Sequence, residues 1–157
     1  MICPFPNLSF LSPVSALASH VSENLSGGYD MVLMDEYVKK LLIKGKLGQD
    51  HDVKTGYEAA KRCALSIVAQ TKKACNGDLT KVKSCVKLTG YVNSTDTFTD
   101  QPKVINGASD LIASVFGDAG MHTRAAVSTN SLPLGVSVEV DAIFAVSYTH
   151  LTLPTIA

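Results

Sequence analysis

Two arginines occur in the chain, in unlike surroundings. Arg62 sits among Lys61 and Glu58 on what reads as the solvent side of a helix. Arg124 stands in a run of small residues, Thr123, Ala125 and Ala126. A planar guanidinium beside small neighbours leaves open volume next to a rigid fork of donors. That fork matches a carboxylate bidentately and keeps its charge when desolvated. Anion recognition is the chemistry this position offers. Glu139 lies further on, on the polar face of the last alternating segment. If the two segments pair through the turn Ser131-Leu132-Pro133-Leu134-Gly135, Glu139 falls within about one residue of the position opposite Arg124. The pair then reads either as a cross-strand salt bridge or as an anion grip with a carboxylate beside it.

Other chemistries lack their residues. The sequence has no G-x-S-x-G elbow, no GxGxxG, no P-loop and no H-E-x-x-H. His20, His51, His122 and His150 are scattered, with no Cys or carboxylate at zinc-ligand spacing, so no metal is expected. Lys81, Lys83 and Lys87 line one strand face without interleaved aromatics, which reads as a solvated face in preference to an RNA-binding stripe.

Elements that position these residues follow from periodicity. Residues 1–27 are short apolar pieces broken by Pro and Ser, read as one or two strands ending at Ser26-Gly27-Gly28. Residues 31–48 read as a further strand or hairpin. Over 53–75, Tyr57, Ala60, Cys63, Ala64, Ile67 and Val68 recur at three and four, which predicts a helix. Asp52 and a Thr55–Glu58 capping box compete to start it, and Asn76-Gly77-Asp78 stops it. Residues 80–93 alternate, with Val82, Val86 and Leu88 on the apolar side. A second helix starts near Gln101 with Pro102 in its first turn and ends at Gly117. Its buried stripe is Val104, Ile105, Ala108, Leu111, Ile112 and Val115. Strands over 123–128 and 136–145 close the chain, the latter with Val136, Val138, Val140, Ala142 and Phe144 inward and Ser137, Glu139 and Asp141 outward. Helices with one apolar stripe and strands with one apolar face suit a two-layer α+β sandwich.

Composition agrees with one packed domain over residues 1–146. The 157 residues are 46% hydrophobic, with mean hydropathy +0.18. Fourteen basic and fourteen acidic residues give no net charge, so nothing steers the chain toward nucleic acid or an anionic membrane. The charged fraction of 18% leaves room for an uncharged contact surface, which points toward an oligomer. Cys3, Cys63, Cys75 and Cys85 form no C-x-x-C pair and read as buried thiols of a reducing compartment. No basic residue precedes Lys39 and prolines interrupt the first apolar stretch, so a signal peptide is not expected and the protein reads as cytoplasmic. Residues 147–157, SYTHLTLPTIA, break the pattern and resemble the translation of a sequencing-library adapter. They are read as a cloning or read-through scar, and Tyr148 and His150 receive no functional weight.

Four segments carry a family resemblance: GYEAAKRCAL (56–65), VKLTGYVNS (86–94), DQPKVINGASDL (100–111) and SLPLGVSVEVDAIF (131–144). Together, over about residues 25–145, they resemble the RidA/YjgF family of reactive-intermediate deaminases, in the branch with the DQPKVINGASDL signature. The resemblance implies a chorismate-mutase-like α+β fold, a homotrimer with clefts between subunits, and no cofactor. It implies hydrolysis of 2-enamine and 2-imine carboxylates such as 2-aminoacrylate to 2-oxo acids and ammonia. By the same resemblance Arg124 is the substrate-carboxylate arginine, and Glu139 the acid that orients the attacking water. Asn106 matches a cleft-lining asparagine and Gly27 the cleft glycine of the second strand. Taken without the family, Asn106 reads equally as a solvent-facing helix residue. The chain departs from the pattern at Gly28, where the family has Gln, at Ala126, where Cys is common, and at Phe10, a shifted stand-in for the N-terminal aromatic. A non-catalytic trimer that binds small carboxylates is the alternative function, with endoribonuclease, a label some relatives carry, as the third.

Overall fold

Asp52 starts the first helix. Its Oδ1 accepts 2.8 Å from the backbone N–H of Thr55, so the aspartate takes the cap ahead of the Thr55–Glu58 box. The computed structural model describes residues 42–147, together with the backbone of a strand β1, Asn7–Phe10. Helix α1 runs Val53–Ala74 and ends where Asn76 and Gly77 take positive φ. The Gly77 N–H then returns to the Lys72 carbonyl at 2.8 Å. Strand β2 is Val82–Asn93, helix α2 is Gln101–Phe116, strand β3 is Thr123–Thr129 and strand β4 is Val138–Val146. The sheet order is β1-β4-β2-β3. β2 pairs parallel with β3 through the α2 crossover, and antiparallel with β4. Both helices lie on one face, giving the expected two-layer α+β arrangement.

Leu88, Val92, Val140, Ala142 and Phe144 from the sheet meet Ala60, Ala64, Ile67, Val104, Ile105, Ala108 and Ile112 from the helices, all buried. Two glycines set how closely the layers approach. A Cβ on Gly107 would strike the Tyr57 backbone carbonyl, so α2 can touch α1 only without a side chain there. A Cβ on Gly90 would strike the Ile105 side chain, so α2 lies directly on β2.

The structure corrects several expectations. β3 and β4 are not a hairpin. β2 stands between them, because the α2 crossover claims one edge of β2 for β3 and leaves the other for β4. The connection passes through a tight turn at Pro133–Gly135, with Leu134 at φ 57°. It is held by segment 42–47, through a Lys44–Val136 bridge and the Ser137 N–H on the Ile43 carbonyl at 2.9 Å. Within 42–48 that segment makes isolated bridges and no strand; residues 31–41 lie outside the described residues. Register shifts at Val82/Ser84 and Cys85/Lys87 turn Cys85 inward, leaving Val86 exposed. Val115, in the last turn of the α2 stripe, is also exposed. Ser137, expected on a polar face, is fully buried. Cys63, Cys75 and Cys85 are buried free thiols as expected; Cys3 lies outside the described residues, as do residues 148–157.

Candidate functional site

Parallel pairing places Arg124 opposite Leu88, on the face of the sheet that the helices cover. β3 is the edge strand on that side, so the side chain emerges past the α2 flank and is exposed. Asn106 and Ser109, one helical turn apart on α2, face it. Nη1 of Arg124 donates to Asn106 Oδ1 at 2.6 Å and to Ser109 Oγ at 3.2 Å. Both Nη1 hydrogens are thereby committed to neutral acceptors. Among the described residues, no carboxylate lies within ion-pair distance of Arg124, and its Nε and Nη2 have no partner. Among the described residues the other three N–H groups of the fork meet no acceptor.

Ser109 leads on to His122. The two are joined at 3.1 Å between Oγ and Nε2, while His122 Nδ1 lies 2.6 Å from the Gly120 carbonyl. A carbonyl only accepts, so Nδ1 carries a proton. In the neutral ring Nε2 is then the acceptor of the Ser109 hydroxyl. The result is a continuous chain from Arg124 through Ser109 and His122 to Gly120. The sequence pattern did not single out Ser109 or His122. The signals were the three-residue spacing from Asn106 and the His-x-Arg run into β3.

Glu139 is placed elsewhere. It is half-buried on β4, registered with Tyr91. Leu88 and Tyr91 are three residues apart on β2, so Arg124 and Glu139 point to opposite faces with a strand between them. Within one chain the expected cross-strand neighbourhood is absent, and with it any Arg124–Glu139 salt bridge. The negative charge of Glu139 is felt instead at Cys63, whose thiol is pushed up to about 12 mainly by burial, with Glu139 adding to it. Burial likewise raises Cys85 to about 11. Gly27 lies outside the described residues, as does the Phe10 side chain. Ala126 packs against the core beside Arg124. Among the described residues no three His, Cys, Asp or Glu side chains converge on a metal position, and no helix is long and apolar enough to cross a membrane.

Comparison with known proteins bears on this arrangement. The family model described as "YjgF/chorismate mutase-like, putative endoribonuclease" matches residues 12–146. The chain belongs to the YjgF/chorismate-mutase-like family. Protein TCP17 of Trypanosoma cruzi is 52% identical over 100 residues, 63% of this chain and 62% of TCP17. The chain thus spans about 62% of the length of that curated relative. The Agrobacterium tumefaciens protein Atu1372, of unknown function, is 50% identical with a TM-score of 0.66, over 67% of this chain and 66% of its own. A Shewanella oneidensis protein, a "putative endoribonuclease", is 35% identical with a TM-score of 0.65, over 67% of this chain and 69% of its own. The RidA/YjgF assignment and the α+β fold rest on these matches.

Proposed function

We propose that the chain hydrolyses reactive 2-enamine and 2-imine carboxylates, of the 2-aminoacrylate and 2-iminopropanoate kind, to 2-oxo acids and ammonia. The observation that carries this reading is the Arg124 guanidinium: exposed and, among the described residues, tethered at Nη1 by neutral groups only, with Nε and Nη2 open. A carboxylate on that edge gains charge-assisted bonds and leaves the adjoining imine carbon displayed to water. An iminium carbon next to a carboxylate is already electrophilic. Water adds to it, one proton passes from the added oxygen to nitrogen, the C–N bond breaks to release ammonia, and the remaining hydroxyl proton goes to solvent as the carbonyl forms. The site has only to hold the carboxylate and present the water.

Glu139 is the candidate for orienting that water. Because it faces away from Arg124 in its own chain, it serves a substrate on Arg124 only from a second copy, in keeping with a homotrimer whose clefts lie between subunits. The expected setting is the cytosol, beside the pyridoxal-phosphate enzymes that release such imines. The test follows 2-iminopropanoate decay with purified protein. The wild type accelerates decay, and Arg124→Ala loses roughly a hundredfold in kcat/KM, the scale of about 3 kcal/mol of charge-assisted hydrogen bonding. Equal decay with and without wild-type protein ends the enzyme reading.

The placement of Glu139 on the far face favours one second reading, a trimer that binds small carboxylates without turnover. Thermal stabilisation by 2-oxo acids with no imine hydrolysis would establish it.

A further inference from the structure

The strongest unassigned feature is the chain Arg124–Ser109–His122. Building on the carboxylate reading of Arg124, we propose that Ser109 and His122 make this site proton-linked: a small carboxylate on Arg124 and a proton on His122 favour one another.

The hydrogen inventory gives the mechanism. With His122 neutral, its one ring proton lies on Nδ1 and goes to Gly120, so the single Ser109 proton is committed to Nε2. Ser109 then offers Arg124 only a lone pair and offers a ligand nothing. Protonating His122 puts a hydrogen on Nε2, which now donates to Ser109 Oγ. The Ser109 hydroxyl proton is freed to turn toward an acceptor at the guanidinium. Meanwhile two cations share one oxygen, at 3.1 Å from Nε2 and 3.2 Å from Nη1. Without an anion that juxtaposition is unfavourable. A bound carboxylate relieves it and takes the released hydroxyl. Charge and hydrogen bonding therefore act in the same direction.

Other charged groups do not supply this link. On the elements around His122 these are Asp118 in the preceding turn, Asp110 on α2 and Lys87 on β2. Asp110 accepts from the Tyr57 hydroxyl of α1 at 2.9 Å. Lys87 is registered with Thr123 on the opposite parity to Arg124. None of the three hydrogen-bonds the imidazole. Arg124, through Ser109, is the charge joined to it.

The test is calorimetric titration of the full-length protein with pyruvate, which stays ionised throughout the range used, in buffers of different ionisation enthalpy. Affinity should rise by about fivefold or more from about pH 8 to about pH 5.5, with net proton uptake on binding. In His122→Gln, which keeps a neutral acceptor toward Ser109, the uptake and the pH dependence should both vanish. Ser109→Ala should flatten the dependence while leaving part of it, since the charge effect remains. Thermal unfolding of each variant establishes that it is folded. Pyruvate binding without proton uptake, or uptake that persists in His122→Gln, overturns the linkage and leaves Arg124 standing as a carboxylate site. No binding at any pH overturns the carboxylate reading itself and the linkage with it.

Discussion

Arg124 owes its availability to what surrounds it. Neutral acceptors on Asn106 and Ser109 fix the guanidinium plane without cancelling its charge. Removing the stronger tether should loosen the grip and leave the chemistry alone. Asn106→Ala is expected to raise KM several-fold for an imino acid with kcat little changed, the signature of lost uniform binding; steady-state kinetics on both parameters checks it. The thiols make the opposite kind of prediction. Cys63 and Cys85, held protonated by burial, should resist iodoacetamide at neutral pH in the native state and react once unfolded, as peptide mass spectrometry will show. Arg124 was legible in sequence because its small neighbours are local. Its relation to Glu139 was not, because strand order is decided by the α2 crossover and not by the turn between them. Ser109 and His122 look in sequence like any helix serine and any isolated histidine; only the fold sets them in line.

At the scale of elements, the two helices were legible to within a residue or two, since caps, stops and apolar period all agree. Asp52 gives a pH test of that capping. Hydrogen bonding from Thr55, side chain first and backbone second, holds its carboxyl below the usual value. A lowered folded-state value means the cap contributes fully above the unfolded-state titration and is lost as pH falls through the folded one. Asp52→Asn, neutral throughout, should therefore melt below wild type near neutrality and converge on it in acid, with a flatter fall in melting temperature as pH is lowered. Gly107 tests the helix contact. Gly107→Ala meets the Tyr57 carbonyl, a backbone atom that cannot swing aside, and should lower stability by about 2 kcal/mol in urea denaturation despite alanine's better helix propensity. Where the sequence misled, at Val86 and Cys85, bulges had shifted the strand parity, and a one-residue slip exchanges every inward and outward side chain.

At the scale of the whole molecule, the sheet separates Arg124 and Glu139 onto two sides, so a site using both is built from two copies. Co-expressing Arg124→Ala with Glu139→Gln subunits should then restore part of the imine-hydrolysing activity that each lacks alone, because some mixed interfaces carry both intact groups. Absence of any recovery in verified mixed oligomers would dismiss Glu139 from the reaction. The Arg124 cluster itself behaves differently. Its members are never more than 18 positions apart along the chain. Closing so short a span costs little chain entropy. The helix, turn and edge strand that carry it are thus one continuous block of chain, whose hydrogen-bonded members meet without help from the distant ends.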